Sequence, residues 1–93
     1  MLKILRSTKN ASLIFTLVGR VEGENLEELK RVIGLEVRDQ NLVLDLNDVT
    51  LVDESAIRFF TRCEAEQVTL ENCPPYIREW IAAEKLRNRR HSL

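Results

Sequence analysis

Residues 42–60 read LVLDLNDVTLVDESAIRFF, and parsing this stretch narrows what the rest of the chain can be. With Asn41 in front, NLVLDL is a dense apolar run of strand length, the pattern of a strand buried in the middle of a sheet, interrupted by Asp45. Asn47 and Asp48 predict a turn. Residues 49–52 form a second extended apolar patch, and Asp53 is a good N-cap for a short helix carrying Ala56, Phe59, Phe60 and Cys63.

Working outward toward the N-terminus, residues 2–6 read as a strand and residues 12–18 as another. In the second, Leu13, Phe15 and Leu17 alternate against Ile14, Thr16 and Val18. The polar connection of residues 7–11 is short enough for a hairpin. Gly19 and Gly23 bracket a polar turn, and Asn25 with Glu28 three residues later resembles a capping pair opening a helix. Leu26, Leu29, Val32 and Ile33 fall on one stripe of that helix, and Glu27, Glu28, Lys30 and Arg31 lie opposite. Gly34 weakens the helix, whose end is expected between Gly34 and Arg38.

Toward the C-terminus, residues 67–70 read as a last strand. Asn72, Cys73, Pro74 and Pro75 punctuate the chain before a helix over residues 76–86, whose Ile77, Trp80 and Ile81 make one apolar face. Trp80 reads as a residue at the core's edge. The order β-β-α-β-α-β-α predicts an α/β fold: a single small domain with a mixed four-stranded β-sheet covered by about three helices. The domain is expected over residues 1–87, followed by a basic C-terminal tail over residues 88–93.

A chain of 93 residues with 44% apolar side chains suits one domain with a modest core. Fourteen basic and fifteen acidic residues leave a net charge of -1, which argues against a protein built to neutralise nucleic-acid phosphates. The balance hides an asymmetry. Every acid lies in residues 1–84, while Lys85, Arg87, Arg89 and Arg90 make the end of the chain basic. No apolar stretch near the start is long enough to span a membrane or to act as a leader, so a cytoplasmic chain without a membrane partner is expected. Cys63 and Cys73, ten apart, read as reduced thiols rather than a disulfide scaffold.

Signatures of catalysis are sparse. His91 stands three residues from the end, with nothing to orient it as a base. The stretch GRVEG at residues 19–23 lacks the pattern of a phosphate-cradling loop, and no GxGxxG or GxSxG occurs. Asp45, Asp48 and Asp53 form one acidic cluster at a strand's carboxyl end, a place where α/β proteins often bind ligands. A phosphoacceptor aspartate of the response-regulator kind would also require an acidic pair after the first strand and a lysine after the last, and neither is present. Turn formation by Asp48 and capping by Asp53 account for two of the three. No catalytic residue, metal or cofactor is expected.

Residues 42–60 resemble the STAS domain family, the sulphate-transporter and anti-sigma-factor-antagonist modules. The resemblance is carried by a strand of the form hhhDh, a short segment, a second apolar patch, and an Asp-x-Ser step opening the next helix, here Asp53-Glu54-Ser55. It extends through the opening hairpin, the Gly19 turn and VTLENCPPYIREWI at residues 68–81. For bacterial antagonists of this family the resemblance implies partner switching, with the matching serine, Ser55, phosphorylated by a regulatory partner such as an anti-sigma-factor-like serine kinase. A phosphate there adds about -1.5 to -2 charges at a helix start that tolerates anions. The residues themselves leave a second role open for Ser55, that of a helix-initiating residue satisfying first-turn N–H groups.

The expectation is thus a non-enzymatic regulatory protein-interaction domain docking through Asp53, Glu54, Ser55 and Arg58. The alternative is a small-ligand or nucleotide sensor binding near Gly19, Gly23 and Asp48. Nucleic-acid contact by the basic tail is a weaker rival.

Overall fold

The computed structural model describes residues 1–34 and 41–91, with side chains given through residue 88. The elements run β1 (Leu2–Lys9), β2 (Ser12–Val21), α1 (Gly23–Gly34), β3 (Asn41–Val52), α2 (Glu54–Ala65), β4 (Thr69–Glu71) and α3 (Pro75–His91). They build the mixed four-stranded sheet with three helices that the sequence predicts, in spatial order β1-β2-β3-β4. β1 and β2 pair antiparallel, and β2, β3 and β4 are parallel neighbours. The hairpin loop shrinks to Asn10 and Ala11, with φ of 50° and 66°. Positive φ at both loop residues matches the right-handed twist of the strands, so β1 and β2 extend almost to the turn.

Alternation decides what each strand buries. Leu13, Phe15 and Leu17 of β2 and Leu42, Leu44 and Leu46 of β3 join one core with Leu26, Leu29 and Ile33 of α1, Ile57 and Phe60 of α2, and Ile77 and Ile81 of α3. Residues of the opposite parity, Ile14, Thr16 and Val18, lie outside that core. The three helices therefore cover one face of the sheet. Val32 and Trp80 pack at the core's margin, as their stripe positions predict.

The predicted turn at Asn47 and Asp48 does not form, because both residues continue β3. Thr16 pairs with Asp45 and Val18 with Asp48, then Gly19 with Val49 and Arg20 with Leu51, so β3 twice inserts an extra residue against β2. Each bulge advances the side-chain alternation by one. The positions that face the core accordingly change from every second residue (Leu42, Leu44, Leu46) to every third (Val49, Val52). Asparagine and aspartate suit turns and bulges alike, and only a paired neighbour strand selects between them.

The turn expected between Gly19 and Gly23 is corrected too. Gly19, Arg20 and Val21 belong to β2, and α1 opens at Gly23 rather than near Asn25. The Asn25 side chain instead donates to the Arg20 carbonyl (3.1 Å) and holds the strand-to-helix corner. The expected end of α1 beyond Gly34 falls outside the described residues. β4 starts two residues later than predicted, since α2 ends in a Schellman motif: Val68 N–H donates to the Cys63 carbonyl (2.8 Å) and Gln67 N–H to Glu64 (3.1 Å). Gln67 takes the left-handed position, φ 69°, where glycine is usual. α3 begins with Pro75 in its first turn and continues through His91, so residues 88–91 prolong the helix.

Candidate functional site

The junction of β3 with α2 brings together Asp53, Glu54, Ser55 and Arg58. Asp53 has extended backbone, φ -114° and ψ -179°, and its Oδ1 accepts from the Ala56 N–H at 2.9 Å, the N-cap bond expected of it. Its Oδ2 accepts from the Gly23 N–H, also at 2.9 Å. One carboxylate therefore satisfies an otherwise unpaired donor at the start of two helices and ties α1 to α2. Its negative charge sits at the positive ends of both helix dipoles.

Ser55 is the second residue of α2 and is half-buried. The Ala56 N–H, the first-turn donor that a cap satisfies, goes to Asp53 and not to Ser55. Glu54 and Arg58, one turn apart, form an exposed ion pair on either side of Ser55 in sequence. Ala56 and Ile57 are fully buried, which fixes the first turn and leaves Glu54 and Arg58 facing solvent.

The sequence's second set of candidates, Gly19, Gly23 and Asp48, is held within the sheet and the start of α1. Gly19 pairs with Leu2 and Val49 in the sheet, and its φ of +106° would place an added Cβ 2.4 Å from the Met1 carbonyl oxygen. That close approach lets the Met1 carbonyl accept the Arg20 N–H (3.2 Å), so the pairing of β2 with the start of the chain requires glycine at position 19. The Gly23 N–H is already taken by Asp53. Asp48, on β3, accepts from the Asn47 side chain (3.2 Å). Asp45 accepts from the Asn47 N–H (3.0 Å) and the Asn72 side chain (3.1 Å), closing the β3–β4 end of the acidic cluster. Among the described residues, no group of three or more His, Cys, Asp and Glu side chains could hold a metal ion. No helix among them is long and apolar enough to cross a membrane.

One ionic cluster had no signal in the sequence. Glu64 on α2 pairs with Arg78 (2.9 Å) and Lys85 (3.0 Å) on α3. Burial pushes the Glu64 carboxyl up, but hydrogen bonds and charge from Arg78 and Lys85 outweigh it and hold the group below the usual carboxylate range. Only the docking of α2 against α3 shows that residues fourteen and more apart share a site. Nearby, partial burial pushes the half-buried Cys73 thiol up, Arg78 opposes this and Glu64 adds to it, and the thiol remains above its ordinary value. Cys63 is buried, and both cysteines are free.

No curated protein matches the chain. A solved crystal structure of a protein called Mglu is similar in fold, with a TM-score of 0.57 and 21% identity over 76% of this chain and 19% of that one. The chain thus spans about a fifth of the solved chain it matches. The STAS domain family model matches residues 3–88, which take in the hairpin, the Asp53-Glu54-Ser55 step and nearly all of α3, and the chain belongs to the STAS domain family.

Proposed function

We propose that this STAS domain is a non-enzymatic regulatory interaction module of the anti-sigma-factor-antagonist kind. It docks on a protein partner through the first turn of α2, and phosphorylation of Ser55 by a serine kinase switches the docking. The observation that carries this reading is the division of labour between Asp53 and Ser55. Asp53 alone caps α2 and bridges to α1, so esterifying the Ser55 hydroxyl removes no structural hydrogen bond. A phosphate placed there changes the surface while the fold persists.

Arg58 supplies a local consequence. In the unmodified protein it pairs with Glu54. A phosphate on Ser55 stands one turn before Arg58 and competes for the same guanidinium, which prefers a dianionic partner. Glu54 is then released and two acidic groups replace one neutral pair at the docking surface. A partner selected for the unmodified surface loses an arginine contact and meets repulsion.

Incubation with an anti-sigma-factor-type serine kinase and ATP, followed by intact-mass measurement, is expected to show one added phosphate that Ser55→Ala abolishes. Binding of that kinase to the unmodified domain is expected to weaken at least tenfold on Ser55→Asp, about 1.4 kcal/mol. An unmodified chain would sink the switch and leave constitutive docking, which Arg58→Glu must then disrupt. Binding indifferent to both Ser55→Asp and Arg58→Glu overturns the site altogether.

A further inference from the structure

The face of the sheet turned away from the helices carries its own organised surface. Leu5 of β1, Ile14, Thr16 and Val18 of β2 and Val43 of β3 share it, with Ile14 beside Val43 and Thr16 beside Leu5. Val43 is only 6% exposed, yet it is the one buried apolar side chain that stands outside the core cluster among the described residues. Leu5 is 45% exposed. Charges flank this apolar strip by sign. Lys3 and Lys9 lie on β1 along one edge, and Asp45 and Asp48 of β3 with Glu71 of β4 lie along the other.

A face that is basic on one edge and acidic on the other is complementary to itself when turned over about an axis parallel to its strands. Such a two-fold lays β1 of one copy over the β3–β4 side of the other and sets β2, with Ile14, Thr16 and Val18, on its own copy. The other in-plane two-fold, across the strands, would set Lys3 and Lys9 against the partner's basic edge and acid against acid. Register sharpens the choice. Lys3 pairs with Val18 and Val18 with Asp48, so the two charges stand at one level along the strands. Rotation about the strand direction preserves that level. Lys3 of each copy therefore meets Asp48 of the second, with the level of Glu71 about 7 Å away, two strand positions, within reach of a lysine side chain.

We propose that the face of the sheet turned away from the described helices binds a second copy of this chain, forming a symmetric, weak dimer with Lys3 opposed to Asp48. The three strands that overlap, of eight, ten and twelve residues, spaced about 4.8 Å apart, present roughly 450 Å² per copy, or about 900 Å² in all, below a standard stable interface. The association is accordingly concentration-dependent, and it uses a surface separate from the start of α2.

Sedimentation velocity on the full chain from about 1 µM to about 1 mM, the span over which so small an interface populates, tests this. The mass is expected to rise from monomer toward dimer. Ile14→Glu, or the half-exposed Leu5→Glu if the first variant does not fold, is expected to remain monomeric at the highest concentration with an unchanged circular dichroism spectrum. Lys3→Glu and Asp48→Lys each weaken the dimer about fivefold, and the doubly reversed Lys3→Glu/Asp48→Lys chain regains most of the loss. A wild type that stays monomeric throughout overturns the proposal. So does a folded Ile14→Glu or Leu5→Glu chain that dimerises undiminished, or a double reversal no better than its single parents.

Discussion

Ile14 and Phe15 are neighbours in β2 and both are large and apolar, but the sheet separates their fates. Phe15 is fully buried, whereas Ile14 lies on the face turned away from the described helices and outside the core cluster of the described residues. The comparison extends to the whole sheet. One face is a closed core whose energetics depend on packing, and the other is a surface whose apolar strip and sorted charges acquire meaning only against a partner. A single strand pattern serves both, since successive side chains point to opposite sides.

The largest expected effect tests that contrast directly. Phe15→Ala is expected to lower stability by about 3–5 kcal/mol, because a cavity opens among side chains that cannot collapse into it. Ile14→Ala at low concentration is expected to cost only about 1 kcal/mol, since water already reaches the site. Urea unfolding of the two variants measures the gap, and equal losses would mean that the second face is covered as well.

The next effect concerns how the helical layer is held. Asp53→Ala removes the acceptor for both Ala56 and Gly23 N–H groups and is expected to cost about 1–3 kcal/mol, while Asp53→Asn, which keeps one carbonyl acceptor, costs less. Thermal melts order the two variants. If Asp53→Ala melts with the wild type, the bridge between helix starts contributes nothing.

The smallest effect lies on the outer side of the helices. Glu64 is held below its ordinary pKa in the folded chain, so its pairing with Arg78 and Lys85 stabilises above the usual carboxylate range and is lost as pH falls through the depressed folded value. Both cationic partners are partly exposed, which limits the contribution to under about 1 kcal/mol. Unfolding curves of wild type and Glu64→Gln are expected to differ above roughly pH 5 and to converge in acid. A gap that widens toward low pH would reverse the sign and break this account.

Much of the helical layer was legible in the residues. The stripe of Leu26, Leu29 and Ile33, the apolar face of Ile77 and Ile81 and the Asp53 cap are local patterns, and each lands as expected. The errors have a common origin. Asn47, Asp48 and Gly19 are turn-forming types that the sheet uses inside strands, the first two at one β3 bulge and the third where the Met1 carbonyl crowds β2. Propensity reports what a backbone tolerates, and the pairing strand determines what it adopts. At the start of α2 the sequence named Asp53 as the cap, but its second role required seeing Gly23 thirty residues away bound to the same carboxylate.

By itself the sequence determined the order of elements, which side of each helix and strand is apolar, and the Asp-x-Ser step that marks the family, because these depend on periodicity and local hydrogen-bonding chemistry within a few residues. Tertiary structure alone decided that all three helices share one face of the sheet, that Asp53 joins two helix starts, and that β1 and the β3–β4 side carry opposite charge across an open face. Those features depend on register between distant strands, and register is set by the collective burial of one face rather than by any stretch of chain.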